Sequence, residues 1–179
     1  MSLREFIATG LLGMAVLLYP CTARADWRTD LGAAQLSGEG DFRFWGFRLY
    51  TAQLWVARLP FDASRPFALH LTYHRHIPRE RLVSSGMDEM QRILGEGWRE
   101  DVGAQWKAAM ERAFADVNEG DSITGVCLPG TGARFYRNGV LTADVADPAF
   151  AQAFFSIWLG PHTRAPQLRA ELINHRTEN

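Results

Sequence analysis

From Leu31 to Val56 the chain alternates apolar and polar positions, with glycines at Gly38, Gly40 and Gly46, and reads as two strands or one long bent strand. Glycine inside a strand marks a bulge or the close approach of another backbone. "PFALHLTYHRHI" then sets Phe67, Leu69, Leu71 and Tyr73 against Ala68, His70, Thr72 and His74, the two-residue period of a half-buried strand. After Pro78 the period lengthens: Leu82, Val83, Met87, Met90, Ile93 and Leu94 fall on one helical face. Trp98, Val102, Trp106, Met110, Phe114 and Val117 define a second helix, ending at Asn118-Glu119-Gly120-Asp121.

Strands return with "SITGVCL", a "PGTG" turn, "ARFYR", the hairpin pair Asn138-Gly139, and "VLTADV". Asp147-Pro148 opens a helix as cap followed by proline, with Phe150, Phe154, Ile157 and Trp158 on its apolar face and Gly160 at its end. Pro166 to about Ile173 makes a last helix. The order of elements predicts an α+β domain, an antiparallel sheet with helices packed on one side. Phe154, Phe155 and Trp158 are expected to pack helix against sheet, and Tyr136 and Arg137, beside the hairpin turn, to be exposed.

The first 25 residues stand apart. "MSLREFIATGLLGMAVLLYPCTARA" has a basic start, an apolar run from Phe6 to Tyr19 and a small-x-small end, which is the pattern of an export signal. The run is shorter than the roughly 20 residues of a membrane span. Cleavage after Ala25 is expected, leaving residues 26–179 as one periplasmic domain; lipidation at Cys21 is the alternative, disfavoured by Pro20.

The formal net charge of −1 lacks the basic excess of a nucleic-acid binder. Lys107 is the only lysine among 19 basic residues, which reads as a bias of base composition rather than as phosphate binding. After cleavage Cys127 is alone, so no internal disulfide is expected, and its place in "SITGVCLPG" suits a buried strand thiol. His74 and His76 would share a strand face, but no third ligand is evident and Arg75 and Arg79 repel a cation, so no metal is expected. No phosphate loop, serine elbow or zinc-protease motif is present, and no cofactor is implied.

"GEGDFRFWGFRLYTAQLWV", "MERAFADVNEGDSITGVCLPGTGARFYRNG" and "DPAFAQAFFSIWLGPHTRAPQLRAEL" together resemble the chalcone isomerase-like family, and within it the bacterial exported branch. The resemblance implies an open-faced β-sandwich, a large antiparallel sheet with helices over one face and a ligand cleft between them. It also implies three kinds of function: cyclisation of chalcones, fatty-acid binding, or no established activity. The plant enzymes use an arginine twelve residues before a strand threonine; matching "RLYTA" puts the threonine at Tyr50 and the arginine at Gly38. The hydroxyl-bearing cleft residue on the later helix falls at Ile157 and the catalytic tyrosine near Leu82.

Without a cation and positioned donors, such a cleft has little means to hold an oxyanion. The leading expectation is therefore a non-catalytic binder of a small apolar or amphipathic molecule such as a fatty acid. Arg48 and Tyr50 would hold the head group, Arg43 is a substitute cation, and Ile157 and Leu82 line the cleft. Two other readings stay open: an isomerase or lyase with Tyr50 as acid and Arg48 as anion holder, and a cell-envelope partner with a filled core. Tyr50 could equally fill the cleft while Arg48 pairs with Asp41, and a bulge at Gly46 would exchange the two faces of the strand.

Overall fold

The structure, a computed structural model, describes residues 26–173; the expected export signal and Cys21 lie outside them. A short 3-10 helix, Trp27–Leu31, leads into the hairpin β1 (Gln35–Phe44) and β2 (Phe47–Val56), then β3 (Phe67–Tyr73). Helices α1 (Arg79–Leu94) and α2 (Glu100–Ala113) follow, then β4 (Ser122–Leu128), β5 (Gly132–Arg137), β6 (Val140–Val145), α3 (Pro148–Leu159) and α4 (Pro166–Ile173). The six strands form one sheet in chain order, antiparallel throughout. All four helices lie on one side: α4 over β1, α3 over β4 and β5, α2 reaching β6, and α1 packed on α2 and α3. This is the expected α+β class and the open-faced sandwich.

The alternation read from the sequence places Ala52, Leu54, Val56, Leu69, Leu71 and Phe135 on the helix side, where they meet Met90, Met110, Phe150 and Phe154. Phe135 packs edge-on against Phe114 and Phe154 at centroid distances of 5.3 and 5.1 Å. Each of the larger side chains in this layer contributes about 1.5–3 kcal/mol by leaving water, so the layer dominates the stability.

Local chemistry sets the helix ends. The Asp147 carboxylate accepts from the backbone N–H groups of Ala149 and Phe150 at 2.9 and 3.0 Å, capping α3 where cap and proline predict it. Its other oxygen accepts from Trp106 Nε1 at 2.9 Å, which ties α2 to the same point. Helix α2 ends four residues before the expected Val117. Phe114 turns extended (φ −106°, ψ 152°), and Val117 pairs instead with Ile77 in an isolated antiparallel bridge.

The other sheet face carries a second, smaller core. Trp27 and Leu31 pack on Ala68, Val126 and Tyr136, with Trp55 alongside. Tyr136 is therefore not the exposed hairpin residue expected: it is only 3% exposed, and its hydroxyl donates to Asp30 Oδ2 at 2.7 Å. Arg134 joins the same carboxylate at 2.8 Å and also binds Asp144 at 2.9 Å. The 3-10 helix is thus clamped to the back of the sheet by charge-assisted bonds.

Candidate functional site

Tyr50 lies on the helix side of β2, as the strand period requires. Its ring stacks on Phe42 at 5.0 Å and meets Tyr73 edge-on at 5.8 Å. Its hydroxyl accepts a hydrogen bond from Trp158 Nε1 at 2.9 Å. Burial pushes the phenol well above its ordinary range, and the indole donor only partly offsets this. Such a phenol is a poor proton donor at neutral pH. The layer around Trp158 is filled: the void bounded by Leu69, Leu71, Ile123, Phe135, Phe154, Phe155 and Trp158 measures about 10 Å³, roughly the space of one water probe.

Arg48 does not share this face. Phe42 pairs with Tyr50 and Arg43 with Arg48, so Leu49 is an extra residue on β2. An extra residue reverses the alternation beyond it. Arg48 accordingly points to the back of the sheet with Asp41, which it meets at 3.6 Å, while Arg43 reaches the same carboxylate at 3.2 Å. Thr51 donates to the other Asp41 oxygen at 2.8 Å and also meets His74 Nε2 at 2.8 Å. Partial desolvation raises the Asp41 carboxyl, but the Thr51 hydroxyl and the two guanidiniums outweigh it and leave it below its usual value. The expected pairing of Arg48 with Tyr50 in one cleft is corrected by the bulge, which sits at Leu49 rather than Gly46. Arg48 with Asp41 is the arrangement found.

Leu82 on α1 and Ile157 on α3 are half-buried against the main core. Neither joins Tyr50, Arg48 and Arg43 around a common space, and neither lines the larger cleft. That cleft, about 390 Å³, opens among the end of α1, the start of α2 and α3. Its walls are Ile93, Leu94, Trp98, Val102, Trp106 and Ala153, and its polar groups are Arg99, Gln152 and Ser156. Trp98 meets Trp106 edge-on at 6.1 Å and lies so close over Gly103 that a side chain there would strike its ring. Arg99 is braced by Asp101 at 2.7 Å. The sequence marks these indoles only as a helical stripe, which core packing explains equally well.

The remaining reactive groups are quiet. Cys127 is buried, and desolvation pushes its thiol up to about 12. His76 Nδ1 meets Asn118 Oδ1 at 3.0 Å while His74 turns to Thr51, so the two histidines have different partners.

A model of the family described as chalcone isomerase-like matches residues 34–174. The chain belongs to the chalcone isomerase-like family. No curated protein sequence matches it. Among solved structures, a fatty-acid binding protein of Arabidopsis thaliana has the same fold, with a TM-score of 0.59 and 11% identity over 78% of this chain and 86% of that one.

Within the chalcone isomerase-like fold, the position matched to the enzymes' arginine has a physical reason to be glycine. Gly38 sits beside the register shift at Ser37, and a Cβ on it would collide with the carbonyl oxygens of Glu171 and Leu172 at the end of α4. Gly40, two residues on, is closed off by the Glu171 side chain and Leu168. Helix α4 lies where an arginine from β1 would have to pass. The glycines that signalled a bulge or close approach in the sequence mark both.

Proposed function

We propose that this protein is an exported, periplasmic member of the chalcone isomerase-like family that binds a small amphipathic molecule without transforming it, a fatty acid being the first class to test. The observation that carries the reading is the cleft of about 390 Å³ among α1, α2 and α3, apolar on its walls and holding one guanidinium, Arg99. Its size falls in the range of about 300–1,000 Å³ typical of small-molecule sites. In this reading Trp98, Val102 and Trp106 take the alkyl chain, and Arg99, Gln152 and Ser156 take the carboxylate. The fold shared with a plant fatty-acid binding protein supports the ligand class. The binding place differs from the one expected, because the sheet-helix layer beside Tyr50 and Trp158 is packed.

The test is native mass spectrometry of protein recovered from its own periplasm, with displacement of a fluorescent fatty acid. A bound amphiphile, lost in Arg99→Glu and Ala153→Trp, is the expected result. An empty protein that does not bind the probe would overturn the reading. It would favour the second one, a structural partner in the cell envelope, which the packed sheet-helix layer also supports.

A further inference from the structure

The β1–β2 hairpin ends in exposed aromatics: Phe44, Trp45 and Phe47 are 58%, 86% and 65% exposed. Its turn is built like that of the β5–β6 hairpin. Trp45 and Gly46 have φ of 51° and 81°; Asn138 and Gly139 have 48° and 78°. Asparagine followed by glycine is the favoured pair for this geometry, since both central residues need positive φ. A bulky side chain in the left-handed region is strained. The chain therefore uses the stable solution at one hairpin and, at the other, holds an indole out in water in a backbone conformation that disfavours it. The Trp45 ring meets that of Phe44 edge-on at 6.3 Å.

Below the aromatics lies a collar of arginines. Arg43 and Arg48 face each other across the two strands, and Arg75 sits 5.6 Å over the Phe47 ring. Arg43 and Arg48 share one carboxylate, Asp41, and Arg75 stands over the Phe47 ring, on a chain whose net charge is only −1. A convex tip of three rings is far too small for a stable protein interface, which buries at least about 1,000 Å². A bilayer surface needs no complementary shape. Aromatic rings settle at the headgroup level, and arginines beside them pair with lipid phosphates.

We propose that the β1–β2 hairpin tip docks this protein on an anionic phospholipid bilayer, with Phe44, Trp45 and Phe47 entering the headgroup layer and Arg43, Arg48 and Arg75 binding phosphates. The inference does not depend on the ligand cleft, which lies among the helices.

The test is flotation of the chain from Asp26, which carries the whole sheet, the helices and both cores, with phosphatidylcholine vesicles with and without phosphatidylglycerol. Binding is expected only with the anionic lipid and weakens with salt. Trp45→Asn lowers it at least tenfold while raising the melting temperature, so the loss is not one of folding. Arg43→Gln, Arg48→Gln and Arg75→Gln each lower it about fivefold. Fatty-acid displacement stays unchanged in Trp45→Asn, which separates this inference from the ligand reading. Absence of flotation, or equal flotation of Trp45→Asn, would overturn it. So would self-association of the wild type that Trp45→Asn abolishes, because the tip would then be covered by a second copy.

Discussion

The indole N–H of Trp158 reaches the Tyr50 hydroxyl at 2.9 Å across 108 positions of sequence, joining α3 to β2 beside the packed layer of the sheet. Both side chains are half-buried against the main core, so water replaces a lost partner only in part. Tyr50→Phe removes the acceptor of the indole N–H and is expected to lower stability by about 1 kcal/mol. Trp158→Phe should cost a comparable amount, and the double variant less than the sum. Urea denaturation of the four proteins measures this coupling directly.

Gly38→Arg introduces an arginine at the position that the sequence resemblance matches to the enzymes' arginine. The side chain has no path past the Glu171 and Leu172 carbonyls, so α4 must leave β1. The expected outcome is a protein destabilised by about 3 kcal/mol or more, with proteolytic cleavage appearing near Arg164–Pro166. A variant that keeps wild-type stability and protease resistance would show that α4 is displaced at little cost.

The clamp on the back face predicts an alkaline limit. Burial first, and then the Asp30 carboxylate, push the Tyr136 phenol up to about 12. A group whose folded pKa is raised contributes stability that is complete below its unfolded value of about 10 and is lost as pH rises through the folded value. Unfolding free energy should therefore fall between about pH 10 and 12. Tyr136→Phe should flatten part of that fall, leaving the share of Tyr50 and Tyr73, whose phenols burial also raises.

His70 predicts the opposite limb. Desolvation first, and the nearby Arg28 guanidinium second, lower its pKa; the ring lies parallel to Trp27 at 6.0 Å and its Nδ1 meets the buried Thr124 hydroxyl at 2.8 Å. The folded state holds the neutral ring, so its contribution is complete above about 6.5 and is lost as pH falls below that value. NMR titration should place the His70 midpoint below that of an exposed histidine, and Trp27→Ala should move it back upward.

Gly103 tests the cleft wall. Any side chain there strikes the Trp98 ring, so Gly103→Val should displace that indole. On the proposed ligand-binding reading, the expected result is an affinity for the fluorescent fatty acid lowered about tenfold, a hydrophobic contact's worth, with the circular dichroism spectrum retained.

Much of the fold was legible because its signals are local. The two-residue period over Phe67–Tyr73, the Asn138-Gly139 turn and the Asp147-Pro148 helix start each depend on neighbours in the chain. The candidate site was less legible. The bulge at Leu49 leaves no mark, since leucine fits either face of a strand, yet it decides where Arg48 points. Tyr136 looked exposed because its partner Asp30 is 106 positions away, and Tyr50 could not be paired with Trp158 from spacing alone. Phe114 and Val117 continue the helical stripe, but the bridge to Ile77 takes the backbone out of the helix.

Strand β1 also has a consequence for how these molecules meet one another. Among the described residues it is an outermost strand, and the outer row of its amide and carbonyl groups could template the addition of a strand from another chain. That row is bent by the extra residue at Ser37, and Glu39, Asp41 and Arg43 follow it with charge at every second position. A neighbouring chain therefore finds no straight, neutral ladder to extend, and the strand that carries the aromatic hairpin also resists growth of the sheet into fibres.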